Sequence, residues 1–594
     1  MIETTRARVG PLFRLLSSSA LLAALTTSLA CSSLVSTESD DLLTPVDARA
    51  LMLALRDLDV GEDEPFIEYL QRARASLAAS DDPGAIRLAR HIPDDARAIP
   101  DAGYRSALPA LLAAYARGRG REARIDALAG LIRHQTVNAP DTAAPGRSPV
   151  FDAFESELSA LTVRQGLVFD HVDHIAYEMR SKEKHHDEIG VLVHADVVPA
   201  GESGWTVPPF QGVLKDDRLY GRGALDDKGP LVAALFAIAA LEKSEVPFIK
   251  GFRLVAGTSE ETHWACIERY QEVRKMPRAT LVADASFPVG VGEKGIATLR
   301  VTSPDDRVRA TARTVSPGTP SGVTLVALDG GQVANQVPSN ARAVLAARDE
   351  AALDALIEIA RAHRERLHAL VDDDGSLVVT ASGRAAHSAE PEKGENAIAP
   401  LVAFLVETRA LDDDACGAML EVLHDAVLSS PHGAPLGVDG EHPRFTRTTV
   451  NLGRLVKRPD GRCEAHVNVR WPPPLTVDEV VARARTALTE RARGTRAEGL
   501  TVDGGGLSPT LIDENTPLVR ALQESYGLVT GHEARTRTVS GTTYAKAVPG
   551  SVTFGPAPED DGDARMHGPD EYIGLEELDA LVEMYAFALA RLAL

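Results

Sequence analysis

"VLVHADVVP" (residues 191–199) ends a run of Val and Leu with a histidine and an aspartate, His194 and Asp196. A short apolar run without alternation reads as a strand buried on both faces, and such strands belong to parallel sheets covered by helices. Outward from it, "FRLVAGTSEE" (252–261) and "ATLVADASF" (279–287) repeat the pattern, and "GPLVAALFAIAALEKS" (229–244) supplies a helical crossover. The alternation predicts an α/β domain with a mainly parallel central sheet flanked by helices. His194, Asp196, Glu260, Glu261 and Asp284 then stand at the carboxyl ends of strands, the edge where open α/β sheets bind ligands.

The chain has 594 residues, more than one core accommodates, so several folded units are expected. Its 63 Lys and Arg against 85 Asp and Glu give a net charge of −22, which argues against nucleic-acid partners. Arg6, Arg8 and Arg14 precede the apolar "LLSSSALLAALTTSLA", which reads as an export signal over residues 1–30. Cys31 follows at the place of an acylated lipoprotein cysteine, so lipid anchoring to a bacterial envelope membrane is expected. Ordinary cleavage after Ala30, giving a periplasmic or secreted protein, is the alternative. Cys266, Cys416 and Cys463 are widely spaced with no Cys-x-x-Cys pair, and isolated buried thiols are expected.

A tether and amphipathic helices occupy residues 31–120 without a chemical motif. The first part of the catalytic domain then spans 121–295. From 296 to 505 longer alternating strands and helices such as "LDALIEIARAHRERLHAL" mark an inserted α+β lid, and residues 506–594 return to the α/β pattern.

Five clusters carry chemistry. In the first, His194 and Asp196 share one face of an extended chain, so the aspartate can orient the imidazole. Alone, that pair is no more than a polar strand edge. "LYGRGALDDKGP" (219–230) sets Asp226 and Asp227 before a helix, whose N-terminal field favours carboxylate. In "GTSEET" (257–262) adjacent Glu260 and Glu261 point differently, so one can hold a metal while the other faces water. Asp284 and, in "RMHGPDE", His567 complete the set. Imidazoles and carboxylates without thiolate suit two divalent ions of the zinc class sharing one carboxylate, an arrangement that hydrolyses amides.

In the order "HADVVP", "YGRGALDDKGP", "GTSEET", "DASFPVGVGEKG", "GRAAHSAEPEKGENAI" and "MHGPDE", the chain resembles the di-zinc peptidase family M20, most of all its bacterial dipeptidases of the PepV type, over roughly residues 120–594. The resemblance implies two zinc ions, with cobalt or manganese as substitutes. Asp226 would bridge them, with His194 and Asp284 on one ion and Glu261 and His567 on the other. It implies Glu260 as general base, Asp196 as the residue orienting His194, and His387 of the lid as oxyanion donor. It further implies substrate contacts at Asn335, at Arg470 and in the loop "SGTTYAK" at Gly541 and Thr543. In that loop Ser540 and Thr542 replace glycines of such relatives, which touches specificity more than catalysis.

The expected activity is hydrolysis of dipeptides or short peptides with a free C-terminal carboxylate. N-acyl amino acid deacylation by the same centre and a non-catalytic surface binding module are the alternatives. A lid of about 200 residues is expected to leave the protein monomeric, as in the PepV type.

Overall fold

The computed structural model describes residues 43–93, 102–138, 147–201, 203–305, 322–408, 414–558 and 566–594. The export signal, Cys31 and most of the tether lie outside the described residues. Among the described residues no helix is long and apolar enough to cross a membrane.

The catalytic sheet is built from β1 (Val168–Val172), β2 (Ala176–Arg180), β3 (Glu188–His194), β4 (Gly251–Gly257), β5 (Ala279–Val282), β6 (Val289–Glu293), β7 (Thr510–Leu511), β8 (Thr536–Val539) and β9 (Val552–Phe554). Its order is β1-β2-β4-β3-β5-β9-β6-β7, with β8 also on β6. The centre β4-β3-β5-β9 is parallel, as the unbroken apolar runs predict. Both margins are antiparallel, at β1/β2/β4 and at β6 with β9 and β7. Apolar periodicity cannot reveal that reversal, because a strand covered on both faces reads the same in either direction. His194 lies opposite Gly257 and Leu192 opposite Val282, so the three central strands release their chains at one level.

The helices around this sheet are α1 (Pro45–Leu55), α2 (Leu108–Gly118), α3 (Arg121–Ile132), α4 (Pro149–Arg164), α5 (Lys228–Lys243), α6 (Pro517–Thr530) and α7 (Leu575–Ala593). Helix α5 is buried all round from Lys228 to Leu241, the mark of a helix sandwiched between layers. The N-terminal helices belong to that same core: Leu51, Met52, Leu111 and Tyr115 cluster with Leu581 and Tyr585 of α7. Each such leucine contributes about 1.5–3 kcal/mol by its burial. Charges seal the seam, with Arg117 3.3 Å from Glu583 and Arg124 paired with Asp579.

Between β6 and β7 the chain makes an eight-stranded antiparallel sheet, from Gly295–Thr302 to Thr501–Leu507, with its own apolar core. Its two four-stranded halves meet along only two residue pairs, Asp329 with Val456 and Gly330 with Leu455. Here the expectation of isolated thiols is corrected. Cys416, in the helix Ala415–Leu423, forms a disulfide with Cys463 at the start of the strand Cys463–Trp471, their Cα atoms 5.3 Å apart. A separation of 47 residues hides in sequence a pair that the fold brings within bonding range. Cys266 remains a buried free thiol.

Candidate metal centre

Strand ends supply the site. His194 closes β3, Glu260 and Glu261 follow β4, Asp284 follows β5, and Asp226 precedes α5. His567 comes from the chain before α7, at a left-handed φ of 64°. Two groups of possible ligands result, His194 with Asp226 and Asp284, and Asp226 with Glu261 and His567. Asp226 is common to both. Its Oδ1 lies 2.8 Å from His194 Nε2 and its Oδ2 2.9 Å from His567 Nε2. Glu261 Oε1 is 3.0 Å from His567 Nε2, and Asp284 Oδ2 is 3.9 Å from His194 Nε2.

The donor set fits two divalent cations. The Nδ1–H of His194 donates to the main-chain carbonyl of Asp196 at 2.9 Å, which turns the Nε2 lone pair toward Asp226. At 2.8 and 2.9 Å these nitrogen–oxygen contacts can each be satisfied by a shared proton, and imidazole with carboxylate is also the donor set that suits divalent ions of the zinc class.

The electrostatics agree. Burial works against protonation of His194, yet Asp226 and Asp284 hold its imidazole well above the usual value. Burial likewise opposes His567, but Asp226 and Glu261 hold it up at about 11. Burial would raise Asp226, and the two imidazoles override it to keep that carboxyl far below the carboxylate range. Burial and the charge of Asp226 push Asp284 up to about 7, and burial with the charge of Asp284 pushes Glu260 well up. Such crowding of buried acids calls for positive charge.

Asp196 acts differently from the expectation. Its backbone carbonyl, not its carboxylate, makes the short contact to His194, and its Oδ1 is 3.6 Å from Nδ1. The carboxylate instead accepts the backbone N–H groups of Glu260 at 3.0 Å and Glu261 at 3.2 Å, with Asn138 Nδ2 at 3.3 Å. Being two residues on from His194, it serves both the ligand and the glutamate loop.

Other residues support the centre that the sequence reading left without a role. Glu571, fully buried, accepts the N–H groups of Leu225 at 2.9 Å and Asp226 at 3.0 Å and pairs with Arg222 at 2.5 Å. Arg222 also donates to the His567 carbonyl at 3.1 Å. Asp227 accepts the His194 N–H at 3.0 Å, and Lys228 reaches back to the carbonyls of Leu131 and His134. Arg222, Asp227 and Glu571 all stand inside the quoted motifs, the one signal that could have flagged them.

The lid residues gather opposite. Gln336 pairs with His387 in a two-residue ribbon, and the Asn335 carbonyl accepts the Ser388 N–H at 2.9 Å. Ser388 Oγ donates to Asn468, which also accepts from Arg470 Nε, and Arg470 Nη1 donates to the Ser540 carbonyl at 2.5 Å. Thr543 is held by Glu293 through its N–H at 3.2 Å and its hydroxyl at 2.7 Å, while Gly541 faces open space. His387 is close enough to Arg470 and His567 to feel both: partial burial, then those two charges, hold its imidazole down at about 4. The structure thus brings the five expected ligands together with Glu260 beside them, and links Asn335, His387, Arg470 and the 540–543 loop in one lid network.

A fold of this kind, with such a donor set at its strand ends, defines a metal-dependent hydrolase. The chain matches Peptidase family M20/M25/M40 over residues 190–591 and belongs to that family of metallopeptidases. It is 31% identical over 467 residues to a Bacillus subtilis (strain 168) protein named "Putative dipeptidase YtjP", covering 78% of this chain and 95% of that one. To a Staphylococcus haemolyticus protein named "Putative dipeptidase SH1171" it is 31% identical over 475 residues, covering 78% and 96%. Among solved structures it is similar to an M20 family metallo-carboxypeptidase from Sulfolobus solfataricus, with 16% identity, a TM-score of 0.47, and coverage of 79% and 99%.

Proposed function

We propose that this metallopeptidase cleaves dipeptides or short peptides bearing a free C-terminal carboxylate, with Asp226, His194, Asp284, Glu261 and His567 holding two zinc ions and Glu260 as general base. The observation that carries the reading is the sharing of Asp226 by two ligand groups beside Glu260, a partly buried glutamate outside both groups. The names of the similar bacterial proteins support the substrate class. When bound, the two ions polarise the scissile carbonyl and acidify a water.

The chain's own groups do the rest. Glu260 takes the proton of the attacking water and returns it to the leaving amine. The Ala389 N–H lies 3.4 Å from Nδ1 of His387, so that nitrogen accepts and Nε2–H is left to donate to the oxyanion. Arg470 is 3% exposed, and no carboxylate pairs with it among the described residues. A buried guanidinium of that kind, on the lid network beside the 540–543 loop, suits the substrate's terminal carboxylate. His387 lies within electrostatic reach of His567 of its own chain, which supports a site completed within one copy and hence a monomer.

A dipeptide panel run beside N-acyl amino acids, with and without chelator, on wild type and Glu260→Gln, tests the reading. Dipeptide turnover lost in both controls supports it. Preference for acyl amino acids moves the substrate class to deacylation, and unchanged turnover in Glu260→Gln removes that residue from its role. Export belongs to the same proposal, supported by a lid disulfide, which oxidising compartments preserve. Palmitate labelling that disappears in Cys31→Ser would establish the lipid anchor, and an unlabelled wild type would exclude it.

A further inference from the structure

Outside the metal centre, one cluster of imidazoles and carboxylate has no role in the reaction described above. Helix α4 supplies Glu155, β1 supplies His171, and the turn between β1 and β2 supplies His174, with one possible ligand atom from each lying within 4.8 Å of the others. The turn is tight, with Asp173 and His174 both at left-handed φ, 50° and 59°. It folds His174 back over His171, so that the rings stack 3.7 Å apart at 26°. His174 Nδ1 then lies 2.9 Å from Glu155 Oε2.

The neighbouring acids each have an arginine partner of their own. Asp170 is paired with Arg274 and Asp173 with Arg269, both at 2.7 Å, so the neighbouring acids are neutralised by arginine. Glu155 is 15% exposed and is hydrogen-bonded to His174. Two nitrogens and one carboxylate oxygen from three separate elements make a half-built coordination shell, and their softness favours zinc-class ions over magnesium or calcium.

We propose that Glu155, His171 and His174 bind a third divalent transition-metal ion, with water completing its shell, and that this ion clamps the β1–β2 hairpin to α4. Binding needs two adjustments: the stacked rings open until their lone pairs converge, which the exposed His174 allows by turning about its side chain, and His171 ligates through Nε2 or releases the His174 N–H that its Nδ1 accepts at 3.3 Å. The clamp bears on the metal centre's edge through the next residue, because the Ile175 carbonyl accepts the Thr258 hydroxyl at 2.7 Å and Thr258 leads into Glu260.

The test compares full-length wild type, His174→Ala and Glu155→Gln, each dialysed to equilibrium against buffered micromolar zinc and analysed for metal per chain. The expected result is one more zinc ion per chain in wild type than in either variant, and a rise in melting temperature with zinc that both variants lack. Equal metal content in the three chains would overturn the proposal. The comparison is a difference between chains that share the Asp226 centre, so it stands whatever that centre proves to hydrolyse. Both changed side chains lie at the surface seam, and circular dichroism checks that each variant is folded.

Discussion

The catalytic sheet carries its reactive groups at the ends of strands buried on both faces, whereas the lid carries an exposed His387 on a two-residue ribbon, with Asn335 just before it. In the first, buried carboxylates accept the main-chain N–H groups of most of the ligand loops: Glu571 from Asp226, Asp196 from Glu260 and Glu261, Asp227 from His194. In the second, Asn451 Nδ2 donates to the carbonyls of Ala334 and Gln336, and Ser388 and Arg470 link ribbon, sheet and the 540–543 loop. The difference divides the labour. The strand ends hold the candidate ligands through buried and part-buried bonds, as a ligand shell needs, and the ribbon presents His387 at the surface.

Changing Glu260, the proposed general base, tests the strand-end side most severely. Glu260→Gln should lower kcat by about 10²- to 10⁴-fold while metal content, read by mass spectrometry, stays at the wild-type level. Glu571→Gln should strike the scaffold instead. It leaves the buried Arg222 charge without its partner and costs about 3–5 kcal/mol, measurable as a lower urea midpoint, with metal content falling alongside.

On the lid side, His387→Asn should reduce kcat by about 10²- to 10³-fold and leave stability and metal content unchanged, since the role proposed for its exposed ring is toward the oxyanion. A fall in metal content there would erase the division between the regions. Cys416→Ser with Cys463→Ser should destabilise the lid by about 2–4 kcal/mol, seen as an earlier denaturation step, without touching the metal centre.

The smallest effect is one of pH. With His387 held at about 4, its ring takes up a proton only as pH falls through that value, so its Nε2–H donor is intact from pH 5 to 8. The kcat profiles of wild type and His387→Asn over that range should therefore share one shape and differ in height. An acidic limb near the ordinary imidazole value, present in wild type and missing in the variant, would contradict this.

Much of the metal centre was legible in sequence because the same feature that makes a buried strand, an unbroken apolar run, makes a polar residue at its end conspicuous. His194, Glu260, Glu261 and Asp284 stand out in that way. Asp226 and His567 needed the motif order as well, since neither ends a strand. Glu571 stayed silent because its work is to accept main-chain N–H groups some 345 residues away, and main-chain donors carry no sequence signal. The Cys416–Cys463 bond was hidden by sequence distance, and the antiparallel margins by strands whose apolar pattern is blind to direction.

Crystals grown with zinc and measured at its absorption edge address the claim that Asp226 is shared between two ions. The account predicts two anomalous peaks flanking Asp226, one beside His194 and Asp284 and the other beside Glu261 and His567. A single peak at that carboxylate, or two that leave it touching neither ion, would contradict it.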